Sequence, residues 1–273
     1  NGNPSNALPF QLKDIAPPDA ATPIVVSVAP NCGDACPNAG LIVQYRIDTG
    51  DMNVIEVKNP ANYQIKECTD AACSAFAATT FTPNSFSYDT TTKTVQFGKA
   101  PDFNVAKFYR IIIGSAVKSD TGKALGNLNY DADGNGTKES YSWTFKTKSA
   151  ACSLSTVTVS PTSATLTAAN QTQSFVATAR GPVSNCSANG DVLDAGSLAW
   201  FWDSTLPAAT PLTTSTLNQA VYKAAAETVP GSSTVRARAT QGSVNVTGTA
   251  SLVVDYAHCT EDTDCVAGGL CTG

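Results

Sequence analysis

The chain carries a single histidine, five glutamates and only 14% charged residues among its 273 positions, and these shortages exclude whole classes of chemistry. His258 is the one imidazole and directly precedes Cys259, so a Ser-His-Asp triad would hang on one residue next to a cysteine-rich tail. The glutamates Glu56, Glu67, Glu139, Glu227 and Glu261 are scattered and form no recognisable pair for glycoside chemistry. Also missing are Gly-x-Ser-x-Gly, a phosphate loop and a Cys-x-x-Cys-His haem site. A non-enzyme is the expectation, since chemistry on a common scaffold needs a grafted site. No run of about 18 apolar residues exists, which excludes a hydrophobic membrane-spanning helix. Residues 1–150 hold 13 basic against 14 acidic side chains and residues 151–273 hold 4 against 8, so the basic footprint of nucleic-acid binding is absent. The start Asn1-Gly2-Asn3-Pro4 lacks the charged and apolar regions of a signal peptide, and the chain reads as mature or cut from something longer.

What the chain does have is cysteine. Cys32, Cys36, Cys68, Cys73, Cys152, Cys186, Cys259, Cys265 and Cys271 point to disulfides in an oxidising compartment, hence to a secreted or cell-surface protein. The alternative is zinc, but tetrahedral sites favour paired Cys-x-x-Cys or histidine spacings, and here three, four or five residues separate neighbouring cysteines within each group. The odd count leaves one thiol to pair with another chain, stay free, or bond a cysteine beyond Gly273, and the last is our expectation.

Proline and polar residues over 1–22 describe an extended arm or linker, whose Phe10, Leu12 and Ile15 can pack on the first domain or donate a strand to a neighbour. From Ile24 the pattern turns to β. Strands are expected at 24–28, 41–47, 54–57, 63–68, 75–80, 94–97, 108–113 and 141–146, separated by turn signals such as Asp120-Thr121-Gly122 and Asp133-Gly134-Asn135-Gly136. A second series follows at 157–159, 174–179, 197–203, 220–223, 234–240 and 244–254, while Ala224-Ala225-Ala226-Glu227 is cut short as a helix by Pro230-Gly231. Short strands at this spacing give an all-β fold: one sandwich over 23–148, a second over 152–256, and a disulfide-rich stub over 257–273. This topology brings Cys152 and Cys186 to one end of the second sandwich, so a Cys152–Cys186 bridge is expected. Cys32 with Cys36 and Cys68 with Cys73 are expected to pair locally.

The segment Phe108 to Leu125, closing with Trp143-Thr144-Phe145-Lys146-Thr147, resembles the bacterial Ig-like domain common in S-layer and other surface proteins, where an aromatic strand leads to an Asp-x-Gly turn. An apolar strand ending in proline, Ile24 to Pro30, extends the likeness over about residues 20–148; the four cysteines and the Asn127 to Ser140 insertion depart from it. Val157-Thr158-Val159-Ser160-Pro161, Gln173 to Thr178, Ala199-Trp200 and Val235 to Thr240 are similar to Ig-like repeats of the intimin and invasin type, over about 153–255. The tail from Cys259 to Cys271 resembles short cysteine-rich modules of secreted proteins. These likenesses imply a structural, filament- or surface-layer-forming protein that associates with itself or with neighbouring surface proteins. The alternative is an adhesin that binds a glycan or protein.

Two candidate sites stand beside their plainer readings. Asp131, Asp133, Asn135 and Glu139 alternate oxygen side chains around Gly134 and Gly136 like the first half of a calcium loop, although position 12 of an EF-hand is here Ser142. The plainer reading is an Asp/Asn/Gly hairpin loop. Trp200 and Trp202 fall on one face of a strand with Phe201 on the other, so the two indoles serve either as a sugar-stacking platform or as the core tryptophan of a sandwich.

Overall fold

A computed structural model of the chain describes residues 21–168, 170–184, 186–205, 209–211, 217–224, 231–255, 265–266 and 270–271. Residues 1–20 of the expected arm, residues 225–227 of the alanine-rich stretch, His258 and Cys259 lie outside the described residues.

The first sandwich is built from β1 (Ile24–Ala29), β2 (Leu41–Arg46), β3 (Tyr63–Cys68), β4 (Phe76–Thr80), β5 (Thr82–Asp89), β6 (Thr94–Ala100), β7 (Phe108–Ile113) and β8 (Tyr141–Lys146). They form two antiparallel sheets, β1-β2-β6-β5 and β4-β3-β7-β8. In β2 the period-two alternation puts Leu41, Val43 and Tyr45 inward and leaves Arg46 in water. Aromatic rings fill the space between the sheets. Phe97 stacks on Phe86 at 4.9 Å between centroids, and Tyr109, Phe81, Phe103 and Phe145 form a second cluster.

In the first sandwich two segments depart from the sequence expectation, and in the second the short strands at 163–166 and 209–211 were not expected. Val54–Val57 is a single helical turn, α1, because Asn53 caps it by accepting from the Ile55 and Glu56 N–H groups; only Val57 turns inward, and Ile55 is 79% exposed. β5 was hidden by Pro83 and a run of small polar residues. It is tolerated because β5 is the outer strand of its sheet, and the ladder is interrupted by a bulge between Asn84 and Ser87, where Ser85 has φ +55.

The second sandwich comprises β9 (Thr156–Ser160), β10 (Ser163–Leu166), β11 (Thr172–Arg180), β12 (Ala199–Ser204), β13 (Ala209–Pro211), β14 (Gln219–Ala224), β15 (Gly231–Gln241) and β16 (Val244–Val254). Its sheets run β10-β16-β15-β12 and β13-β14-β11-β9, with β10 parallel to β16. β15 and β16 pair along all eleven residues around a two-residue turn in which Gly242 takes φ +58. Its core is rich in small residues, with Ala177, Ala179, Ala220, Ala224, Ala237, Ala239 and Ala250 buried among leucines, valines, Phe175, Trp202 and Tyr222. The chain is thus all-β, two Ig-like sandwiches in series. In the stub, β17 (Cys265–Val266) pairs with β18 (Leu270–Cys271) in the backbone.

Candidate functional site

The densest chemistry of the molecule lies where the sandwiches meet. Residues 191–194 run between the end of β11 and residues 38–40 of the first domain. Leu193 N–H donates to Ala179 O at 2.9 Å, Gly40 N–H to Val192 O at 2.9 Å and Asp194 N–H to Asn38 O at 3.0 Å. The first domain's Cys36 and Ala39 are consequently buried in the second domain's core.

Two disulfides cross this joint. Cys32 bonds Cys186 and Cys36 bonds Cys152, with Cα separations of 5.3 and 5.6 Å, while Cys68 bonds Cys73 within the β3–β4 turn. The local pairing expected for Cys68 and Cys73 is present. The expected Cys152–Cys186 and Cys32–Cys36 bridges are not. Cys152 and Cys186 do face one end of the second sandwich, but Cys32 and Cys36 arrive at the same place. The Cys36 N–H donates to Asp191 Oδ2 at 2.8 Å, and Ala35 pairs with the Lys146–Lys148 segment, an anchoring that turns Cys36 toward Cys152. Buried Asn38 clamps the same point, its side-chain amide donating to Cys152 O at 2.9 Å and accepting from Cys152 N–H at 2.8 Å. Of the tail cysteines, Cys265 and Cys271 are described only as paired strand residues.

A buried cation sits beside the disulfides. The Lys99 side chain is 0% exposed; its Nζ donates to Ala39 O at 2.7 Å and lies 3.7 Å from Asp194 and 3.6 Å from Asp102, over the Phe103 ring at 4.3 Å. Burial pushes the Lys99 amine below its ordinary pKa, and the nearby Asp194 and Asp102 charges oppose that shift. Asp194 is itself fixed by N–H groups from Lys99 at 2.9 Å and Gly196 at 2.8 Å. Its carboxylate lies so close to Gly98 that a Cβ there would collide with Oδ1. Asn218 adds a further crossing bond, from its amide to Ser87 Oγ at 3.1 Å. Sequence reasoning missed Asn38, Lys99, Asp191 and Asp194. Each is an ordinary polar residue in a loop or strand end, and only the meeting of segments more than 90 positions apart gives them a role. The Asp-x-x-Asp spacing of Asp191 and Asp194 around two apolar residues was the one available signal.

The acidic loop brings three of its four candidates together. Carboxylate oxygens of Asp131, Asp133 and Glu139 lie within 4.8 Å of one another. Asp131 accepts from Gly134 and Gly136 N–H at 2.7 Å each, and these bonds hold its carboxyl below the usual range. Asp133 accepts from the Asn135 backbone and side-chain N–H groups, and the side-chain Oδ1 of Asn135 accepts from Thr137 N–H. Glu139 Oε1 accepts from Ala132 N–H, while its Oε2 is enclosed without a hydrogen-bond partner among the described residues.

The tryptophans are placed differently from a free platform. Trp202 is buried, with its indole N–H on Leu217 O at 3.1 Å; Trp200 is half-buried against the core, with its N–H on Ala195 O at 3.0 Å. Between them, Phe201 faces outward and is 51% exposed.

No family model and no curated protein matches the chain. Among solved structures, it is similar to surface layer protein SbsC, domains 1-6, at 16% identity over 86% of this chain and 26% of that one, with a TM-score of 0.34. Similarity to the N-terminal part of the bacterial S-layer protein SbsC is also 16%, over 86% and 45% of the two chains, TM-score 0.33. A tandem of titin Ig domains aligns at 7% identity over 86% of this chain and all of that one, TM-score 0.26. The chain thus spans a quarter to under a half of the S-layer structures it resembles, and the likeness is one of distant fold. The disulfides themselves place it in an oxidising, extracytoplasmic setting, and no helix among the described residues is long and apolar enough to cross a membrane.

Proposed function

We propose that this chain is a non-catalytic structural module of a secreted or cell-surface assembly, in which the two sandwiches act as one rigid body. The observation that supports this reading is the joint: two disulfides and a buried Lys99–Asp194 pair convert what is ordinarily a mobile interdomain linker into core. A catalyst or a single-domain binder has no need of a fixed angle between two sandwiches, whereas a repeating assembly does. Its partners are further copies of the chain or neighbouring surface proteins. Small-angle scattering on the oxidised chain, with electron microscopy of the native material, tests the reading. A single rigid conformer that builds fibres or a lattice with rising concentration is expected. A chain that stays monomeric at every concentration and populates many interdomain angles overturns it.

We further propose that the loop at 131–139 takes calcium weakly. Three convergent carboxylates and the unpartnered Glu139 Oε2 support it, and the two N–H groups already spent on Asp131 work against tight binding.

A further inference from the structure

We propose that the outer face of the β12–β15–β16 sheet binds an acidic polysaccharide, with Phe201 and Arg238 at its centre. This site lies away from the joint and does not depend on the assembly reading. A lone exposed phenylalanine on a protein surface means little. Phe201 is not alone. Cross-strand register sets it directly opposite Arg238 and sets Asp203 opposite Arg236, while Thr247 and Thr249 follow on the next strand opposite the two arginines. Phe201, Asp203, Arg236, Arg238 and Thr247 line one shallow depression.

The two arginines are not equivalent. Arg236 is neutralised, giving Nε and an Nη to the two oxygens of Asp203 at 2.5 and 2.9 Å. Arg238 stacks at 4.9 Å from the Phe201 centroid, and among the described residues no acceptor lies within hydrogen-bond reach of its guanidinium. A planar fork held against a ring, with its donors unspent, is suited to a carboxylate. The charge distribution points the same way. Residues 151–273 contain only four basic side chains, Arg180, Lys223, Arg236 and Arg238, against eight acidic ones, yet two of the four stand together on this face. With Arg236 paired to Asp203, the net positive charge of the patch rests on Arg238, and in a chain of net charge −5 that unpaired cation complements a carboxylate.

Side-chain tops must do the recognising. β15 and β16 satisfy each other along eleven residues, so an extended peptide finds an open backbone ladder only at the outer edge of β12, away from the strands of Arg238 and Thr247. A uronic acid chain fits better: the apolar face of a pyranose ring rests on Phe201, its carboxylate takes the Arg238 fork, and its hydroxyls meet Thr247 and Asp203.

The test is affinity electrophoresis of the intact, oxidised chain, kept monomeric, through gels containing polygalacturonate, dextran or poly-glutamate. Retardation by polygalacturonate is expected, with little by dextran. It should weaken at least tenfold in Phe201→Ala and in Arg238→Ala, and fade as salt rises from about 0.05 to about 0.5 M. Both side chains are exposed, so unchanged melting of the variants separates lost binding from lost folding. No retardation by polygalacturonate, or retardation that both variants retain, overturns the proposal. Equal retardation by poly-glutamate through the same residues also overturns it and assigns the face to an acidic protein partner.

Discussion

The two sandwiches share an architecture and differ in what fills them. The first packs rings: nine of the ten aromatic ring pairs among the described residues belong to it, from Tyr63–Phe86 to Tyr141–Trp143. The second has one, Phe175–Tyr222, and seven buried alanines between its sheets. A buried aromatic removes about 150–250 Å² from water and an alanine far less, so the second domain gains less from its own core. It compensates by borrowing Cys36 and Ala39 from the first domain and by accepting two covalent ties. Tandem domains of similar shape thus need not be equal in stability, and here the Cys36–Cys152 cross-link is buried in the weaker core.

Removing the ties tests this contrast most strongly. Replacing Cys36 and Cys152 by alanine removes a bridge that spans 116 positions; the chain-entropy value for an isolated loop of that length, about 5 kcal/mol, is the upper bound here, because the Cys32–Cys186 bridge still encloses the segment. Calorimetry should then resolve two transitions, the second domain melting first; a single unshifted transition would break the comparison. Asp194→Ala, which leaves Lys99 buried without its enclosed partner, should cost about 3–5 kcal/mol, read as a lower denaturant midpoint. Equal truncations sharpen the contrast further. Leu41→Ala and Leu252→Ala each remove a fully buried side chain at about 2–5 kcal/mol, but Leu252→Ala should unfold the second domain outright in reduced protein while Leu41→Ala leaves the first folded.

The smaller effects fall on the first domain. Burial works against the charge on Asp51, but hydrogen bonds from Lys93, the Tyr88 hydroxyl and the Met52 N–H outweigh it and hold the carboxyl below its usual range. A carboxyl depressed on folding stabilises above its unfolded value, near pH 4, and that contribution is lost as pH falls through the folded value. Asp51→Asn should therefore flatten the acid limb of the first domain's melting profile and leave the second domain's unchanged. The calcium site proposed at 131–139 gives the smallest shift. With a dissociation constant of about 1 mM, 10 mM calcium stabilises the first domain by about 1.4 kcal/mol, and a melting temperature unmoved at that concentration would sink the site.

The strands were legible in the sequence where alternation or continuous apolarity was strong, as in Leu41 to Tyr45 and Phe108 to Ile113. α1 and β5 were not, because a capping asparagine and an outer-strand proline act locally against the residue pattern. The joint was least legible. Cysteine number told the compartment, but pairing depends on which loops of two domains converge, and nothing within either domain encodes that. The aromatic triplet Trp200-Phe201-Trp202 showed its periodicity plainly; which face pointed outward was settled by the core the indoles pack against.

The connectivity of Cys32–Cys186 also determines how the molecule would respond to being pulled from its ends. Tension entering through β1 passes at Cys32 straight to Cys186, bypassing the segment between them, a sequence separation of 154, with the Cys36–Cys152 loop nested inside. All of the first domain after β1, and the second domain through β11, sit on a slack branch. Only β1 and the stretch from β12 onward can be drawn out while the bridge holds. Reduction would release roughly 500 Å of hidden length at about 3.3–3.6 Å per residue.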